Sequence, residues 1–253
     1  MAGTMGRYFP VSDFRRLVTD LMHFSGKVPS VTVERRMNLA SLVAARQACT
    51  PTPTWSAIFI KAYGIVAART PILRTSYLTF PWPRMYEHAV NIATLNIDRQ
   101  LAEERVVLYA HIESPESLPL RDLDAIIREY QEKPVEDIPS YRRAVGLSRV
   151  PWPFRRFAWW AVLSIMGPIR CRHFGTFAIT SLGALGAGIT HLLPLITTQL
   201  HYGMIDRAGG LEMRLSFDHR VLDGATAAQV LADLESVLLG EIVQDCAPSR
   251  KSP

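Results

Sequence analysis

One predicted helix of this chain has no polar face. Residues 55–69, WSAIFIKAYGIVAAR, carry a single charge, Lys61, before the terminal Arg69. Apolar side chains come round on every side of the turn, so this helix is expected inside the protein, with other elements packed about it. The chain is long enough to do that. It has 253 residues, 48% of them hydrophobic and 20% charged. A compact chain of that size buries roughly 70–75% of its unfolded surface without staples.

The elements around this helix come in mixed order. Ser12 is a fitting N-cap for DFRRLVTDLMHF, where Phe14, Leu17, Leu21 and Phe24 share one face. VPSVTVERRM alternates like a strand, and NLASLVAARQA reads as a helix. ILRTSYL, HAVNIATLNI and ERVVLYAHI are rich in β-branched and aromatic residues and predict strands. LPLRDLDAIIREYQEKP predicts a helix limited by Pro134. FGTFAITS, LITTQLHYGMI and LEMRLSFD predict three more strands, and Asp223 opens a final amphipathic helix. Helices interrupt the strands without strict alternation. That order predicts an α+β fold, a mixed sheet with helices packed on one side. A single domain is expected over residues 1–240, followed by a flexible tail at 241–253.

Several function classes are disfavoured at once. The three cysteines, Cys49, Cys171 and Cys246, have neither a disulfide framework nor zinc spacing, and they point to a reducing, cytoplasmic setting. Metal chemistry is not expected. The N-terminus lacks the apolar core of a secretory signal, and Ala2 excludes the myristoylation pattern. The apolar stretch 157–169 falls short of the about 20 residues that span a bilayer. The net charge of +5 favours an anionic partner, but no nucleic-acid motif accompanies it.

The chemistry concentrates in SFDHRVLDG, residues 216–224. A neutral His219 can take a proton at physiological pH. Asp223, four residues on, can orient that ring or merely cap the helix that follows. Asp218 and Arg220 flank the histidine with opposite charges, and Gly224 would permit close backbone approach. On spacing alone, a capped turn with a structural histidine is the better explanation of the stretch.

The surrounding residues add to this reading. SFDHRVLDGATAAQVLADLESVL resembles the C-terminal motif of the 2-oxoacid dehydrogenase (dihydrolipoamide) acyltransferases. GTFAITSLGALG resembles a second motif of that family, and FIKAYGIVAARTPILRTSY and VPSVTVERRMNLASLVAARQ resemble its earlier segments in the same order. The resemblance implies a chloramphenicol-acetyltransferase-like fold and a homotrimer with its sites between subunits. It implies His219 as general base, Asp223 as the acidic or amide position after it, and Thr180 as the hydroxyl that stabilises the oxyanion. Asp218, Arg220 and Gly224 match structural positions. Serine is usual where Thr180 stands, and Ser181 is the competing hydroxyl. On a strand only one of the two can face the site.

The resemblance begins near the start of the sequence, so a free-standing acyltransferase without a lipoyl group is expected. Its donor would be acyl-CoA or another acyl thioester, with coenzyme A leaving. A lipoylated or acyl-carrier protein is a further candidate partner. The rival reading is a non-catalytic trimeric scaffold. Residues 142–173 depart from the family: they hold seven arginines, no Asp or Glu, and three of the five tryptophans. Arg155, Arg156, Trp159 and Trp160 are the candidates there for contact with a peripheral membrane surface or with phosphate. A helix packed in the core, fringed by arginines, is the alternative.

Overall fold

The computed structural model describes residues 6–101, 104–183, 186–190, 192 and 195–246. Its strands are β1 (Ser30–Asn38), β2 (Thr75–Leu78), β3 (Arg84–Glu87), β4 (Ile92–Leu101), β5 (Glu104–Glu113), β6 (Phe177–Thr180), β7 (Thr198–Tyr202) and β8 (Gly210–Asp218). Six of them form one mixed sheet in the order β1-β8-β7-β6-β4-β5, and β2 and β3 form a separate hairpin. The neighbours of β6 run parallel to it, and the other pairs of the large sheet are antiparallel.

The two faces of the sheet differ because the strands alternate. On β8, Leu211, Met213, Leu215 and Phe217 enter the main core, while Glu212, Arg214, Ser216 and Asp218 take the other parity. Ala93, Leu95 and Ile97 on β4 and Phe177 and Ile179 on β6 continue the apolar face. Helices α2 (Ala40–Ala48), α3 (Trp55–Arg69), α4 (Leu120–Glu132) and α8 (Gly224–Val237) pack on it. The apolar helix, α3, is buried as its sequence requires: Ile58, Phe59, Ile60 and Tyr63 have no exposed surface. Thr54 caps it by accepting from the Ala57 N–H at 3.2 Å, and Asp124 of α4 accepts from the Thr54 hydroxyl.

The expected mixed sheet and the helices on its apolar side are therefore present. Four more helices, α1 (Asp13–Ser25), α5 (Pro139–Ser148), α6 (Trp152–Ser164) and α7 (Gly167–Phe174), lie over part of the opposite face. Gly175 lets the chain turn from α7 into β6. Its φ is +78°, and a Cβ there would collide with the Thr94 side chain.

Three boundaries differ from the sequence reading. Residues Pro71–Arg74 form a 3₁₀ turn, because the fixed φ of Pro71 suits a helical start, and β2 begins only at Thr75. The strand expected from residue 88 begins at Ile92. The last helix does not give way to a tail at 241. It widens through a π turn at Leu238–Ile242 into α9 (Val243–Cys246), which buries Cys246. Asp245 of α9 pairs with Lys61 at 2.5 Å, which gives the nearly buried ammonium of α3 its counter-ion. The rest of the expected tail, residues 247–253, lies outside the described residues. No described helix is long and apolar enough to cross a membrane.

Candidate active site

The SFDHRVLDG turn is built on a buried ion pair. Asp218, 1% exposed, ends β8. Its carboxylate accepts from Arg220 Nε at 2.9 Å and Nη2 at 2.7 Å, a two-point pairing. Its backbone carbonyl accepts from the Val221 and Leu222 N–H groups, which closes the turn. The Arg220 guanidinium also lies over the Tyr77 ring, 4.6 Å from its centroid. Arg170 of α7 supports the same region. It donates to the Tyr77, Leu163 and Leu195 carbonyls. Burial lowers its pKa to about 10, opposed by the nearby Asp218 carboxylate.

His219 projects from this turn with nearly half of its side chain exposed. Its N–H donates to the Pro29 carbonyl at 2.9 Å, and its ring meets Phe217 edge-on at 5.6 Å. Nδ1 lies 2.9 Å from the Leu222 carbonyl oxygen. A carbonyl only accepts, so in the neutral ring Nδ1 carries the proton and Nε2 keeps its lone pair. The tautomer that a general base needs is thus set by the backbone.

Two expectations for this turn need correction. Asp223 occupies the N-cap position of α8, but its side chain makes no capping hydrogen bond. Its nearest oxygen is 3.9 Å from His219 Nδ1, beyond hydrogen-bond reach, and its side chain is 86% exposed. Leu222, not Asp223, orients the ring, because the tight turn brings the nearer carbonyl under Nδ1. Gly224 is not held by a close approach either: a Cβ built on it meets nothing within 4 Å.

Thr180 and Ser181 end β6 with opposite fates. The Ser181 hydroxyl donates to the Tyr202 carbonyl at 2.9 Å and accepts from the Gly183 N–H at 3.1 Å. Thr180 is buried on the opposite face, and among the described residues its hydroxyl makes no hydrogen bond. The chain does not bring Thr180 to His219. Thr180 pairs across β7 with His201, and His201 with Arg214 of β8. His219 is five positions further along than Arg214. Strand rise and spacing then separate the two residues by roughly 19 Å within one protomer.

Of the four candidates of the basic segment, Arg155 and Trp159 are buried, which corrects their assignment to a membrane or phosphate contact, and Arg156 is engaged in an ion pair. Asp20 of α1, fully buried, pairs with Arg155 Nε and with Arg156 Nε, the latter at 2.7 Å. Arg155 also donates to the Ser148 and Val150 carbonyls at 3.1 Å. Trp159 is buried between the Phe24 and Phe174 rings. Trp160 is half-buried against Phe80 and Phe157. Arg155 and Arg156 face inward because α1 supplies their carboxylate, Asp20, and an inventory of the segment alone misses it.

No family model matches the sequence, and no curated protein matches it. Solved structures do match the fold. A probable dihydrolipoamide acetyltransferase from Listeria monocytogenes superposes with a TM-score of 0.68 over 99% of this chain and 99% of its own, at 18% identity. The dihydrolipoamide acetyltransferase of Azotobacter vinelandii gives 0.69 over 94% and 93%, also at 18% identity. The fold is that of an acetyltransferase catalytic core. A serine, a histidine and an asparagine were studied for their roles in the catalytic mechanism of the Azotobacter enzyme. Its histidine and asparagine are four positions apart, as are His219 and Asp223 here. The cubic core of the pyruvate dehydrogenase multienzyme complex gives 0.65 over 94% and 93%, at 18% identity. Chloramphenicol acetyltransferase shares this architecture. Three of these structural neighbours are named as acetyltransferases, and the fourth is the core of a multienzyme complex.

Proposed function

We propose that this chain is an acyltransferase that moves an acyl group from coenzyme A, or a like thioester, to a nucleophilic acceptor. Neutral His219 takes the proton of the acceptor thiol, hydroxyl or amine through Nε2. The nucleophile adds to the thioester carbonyl, and the Thr180 hydroxyl donates to the oxyanion. The tetrahedral adduct collapses, the C–S bond breaks, and coenzyme A leaves as a thiolate that takes the proton back from the imidazolium. Because Thr180 and His219 lie far apart in one protomer, the site forms between subunits of a homotrimer. The observation that carries this reading is the Nδ1 contact with the Leu222 carbonyl, which leaves Nε2 as a base. A scaffold would have no use for that tautomer. The acceptor is a small thiol or a lipoylated or carrier protein, and Asp223, exposed beside the histidine, serves at most as a distant charge.

The test is release of the coenzyme A thiol from acyl-CoA with a dithiol acceptor, the coenzyme A being separated chromatographically because the total thiol count does not change. Thr180→Val removes the donor at nearly constant volume and is expected to lower kcat by about 10²–10³-fold. Ser181→Ala, which loses its contacts with the Tyr202 carbonyl and the Gly183 N–H, is expected to keep kcat within a few-fold of the parent. Equal kcat for Thr180→Val and the parent, or a larger loss in Ser181→Ala, overturns the assignment of the oxyanion donor.

A further inference from the structure

The helices α1, α5, α6 and α7 roof a cavity of about 420 Å³ over β4, β5, β6 and β7. That volume falls within the usual range of small-molecule sites. Its roof is apolar and includes Phe14, Leu17, Leu21, Trp159 and Val162. Among the described residues no Asp or Glu lines it.

The cations at this cavity are unevenly placed. Arg143, Arg172 and His173 line it yet are exposed, so they mark its mouth. Arg143 and Arg172 make no ion pair among the described residues, whereas Arg155 and Arg156 of the same basic segment share Asp20. His111 of β5 lines the cavity beside them, and its Nε2 is buried without a hydrogen-bond partner. Burial, with the Arg143 and His173 charges, pushes its pKa down to about 4, so the imidazole stays neutral. An apolar hollow with two uncompensated guanidiniums at its mouth is complementary to an anionic amphiphile.

We propose that this cavity binds a single-chain aliphatic carboxylate, its head at Arg143 and Arg172 and its chain beneath α1 and α6. A guanidinium meets the two coplanar oxygens of a carboxylate with two parallel N–H donors. His111 Nε2 then gains the polar partner it lacks. Ala178 of the floor lies two positions from Thr180 on the same face of β6, so the cavity adjoins the proposed site without including it. The inference stands whether or not acyl transfer is the reaction.

Calorimetry on the full chain with dodecanoate, dodecyl phosphate, dodecanol and dodecyltrimethylammonium tests it. Dodecanoate is expected to bind in the micromolar range, more tightly than the other three. Val162→Phe fills the roof and is expected to weaken dodecanoate about tenfold or more. Arg143→Ala with Arg172→Ala, at exposed positions that leave the fold intact, is expected to remove the preference for dodecanoate over dodecanol. If Val162→Phe does not fold, the arginine pair decides alone. No binding of dodecanoate overturns the proposal. So does tighter binding of the phosphate or the ammonium, or a preference that survives the arginine changes.

Discussion

Replacing His219 with alanine is expected to lower acyl transfer about 10²–10⁴-fold while the protein stays folded. The two parts of that result have separate causes. The turn is held by Asp218, Arg220 and the backbone bonds from Val221 and Leu222, none of which needs the imidazole. The half-exposed ring gives up one hydrogen bond, to the Leu222 carbonyl, and water can replace it. What is lost is the lone pair on Nε2. Thermal melting alongside thiol-release assays checks both parts. A scaffold predicts the reverse, a destabilised assembly and no acyl transfer by the parent.

The largest effect on stability is expected at Asp20. Its carboxylate has no exposed surface and serves two guanidiniums, one of them on an equally buried side chain. Asp20→Ala leaves Arg155 charged and uncompensated, which typically costs about 3–5 kcal/mol. For a chain of this size that corresponds to a fall in Tm of roughly 6–20 °C. Adding Arg155→Met to Asp20→Leu removes both charges and should recover much of the loss, since apolar replacements of a buried pair are often neutral. Calorimetric melting of the three proteins checks this. A loss below about 1 kcal/mol in Asp20→Ala would mean that α1 does not hold α6 through this pair.

Asp20 also marks the limit of what the sequence alone conveys. Periodicity located α3, α8 and the strands, because burial on a defined face is written into each segment. The turn chemistry of SFDHRVLDG was equally plain. The fate of the basic segment was not. Arg155 and its carboxylate are 135 positions apart, and no pattern within residues 142–173 distinguishes a buried arginine from an exposed one. Arg170 was one of seven in that count, yet it braces Tyr77 and Leu195 behind the SFDHRVLDG turn. Arg143 and Arg172, from the same run, have no ion pair among the described residues and stand at the cavity mouth.

The histidine's partner was hidden for a different reason. Asp223 has the right spacing and the right chemistry, but the Leu222 carbonyl is closer, and every residue except its side chain looks alike in this respect. Strand alternation alone places Thr180 and Ser181 on opposite faces without choosing between them, and the choice of Thr180 comes from the resemblance. The Tyr202 carbonyl, brought alongside by β7, takes Ser181 and leaves Thr180.

The central claim is a site shared between subunits, with His219 from one and Thr180 from the next. Co-expression of differently tagged His219→Ala and Thr180→Val chains, followed by isolation of the mixed assemblies, tests it directly. In a closed ring of three, every mixed assembly restores one site, about a third of its total, to the parental pair. Thiol release by the mixed assemblies should then rise far above that of either variant alone. Activity no greater than the average of the two separate variants would contradict the shared site.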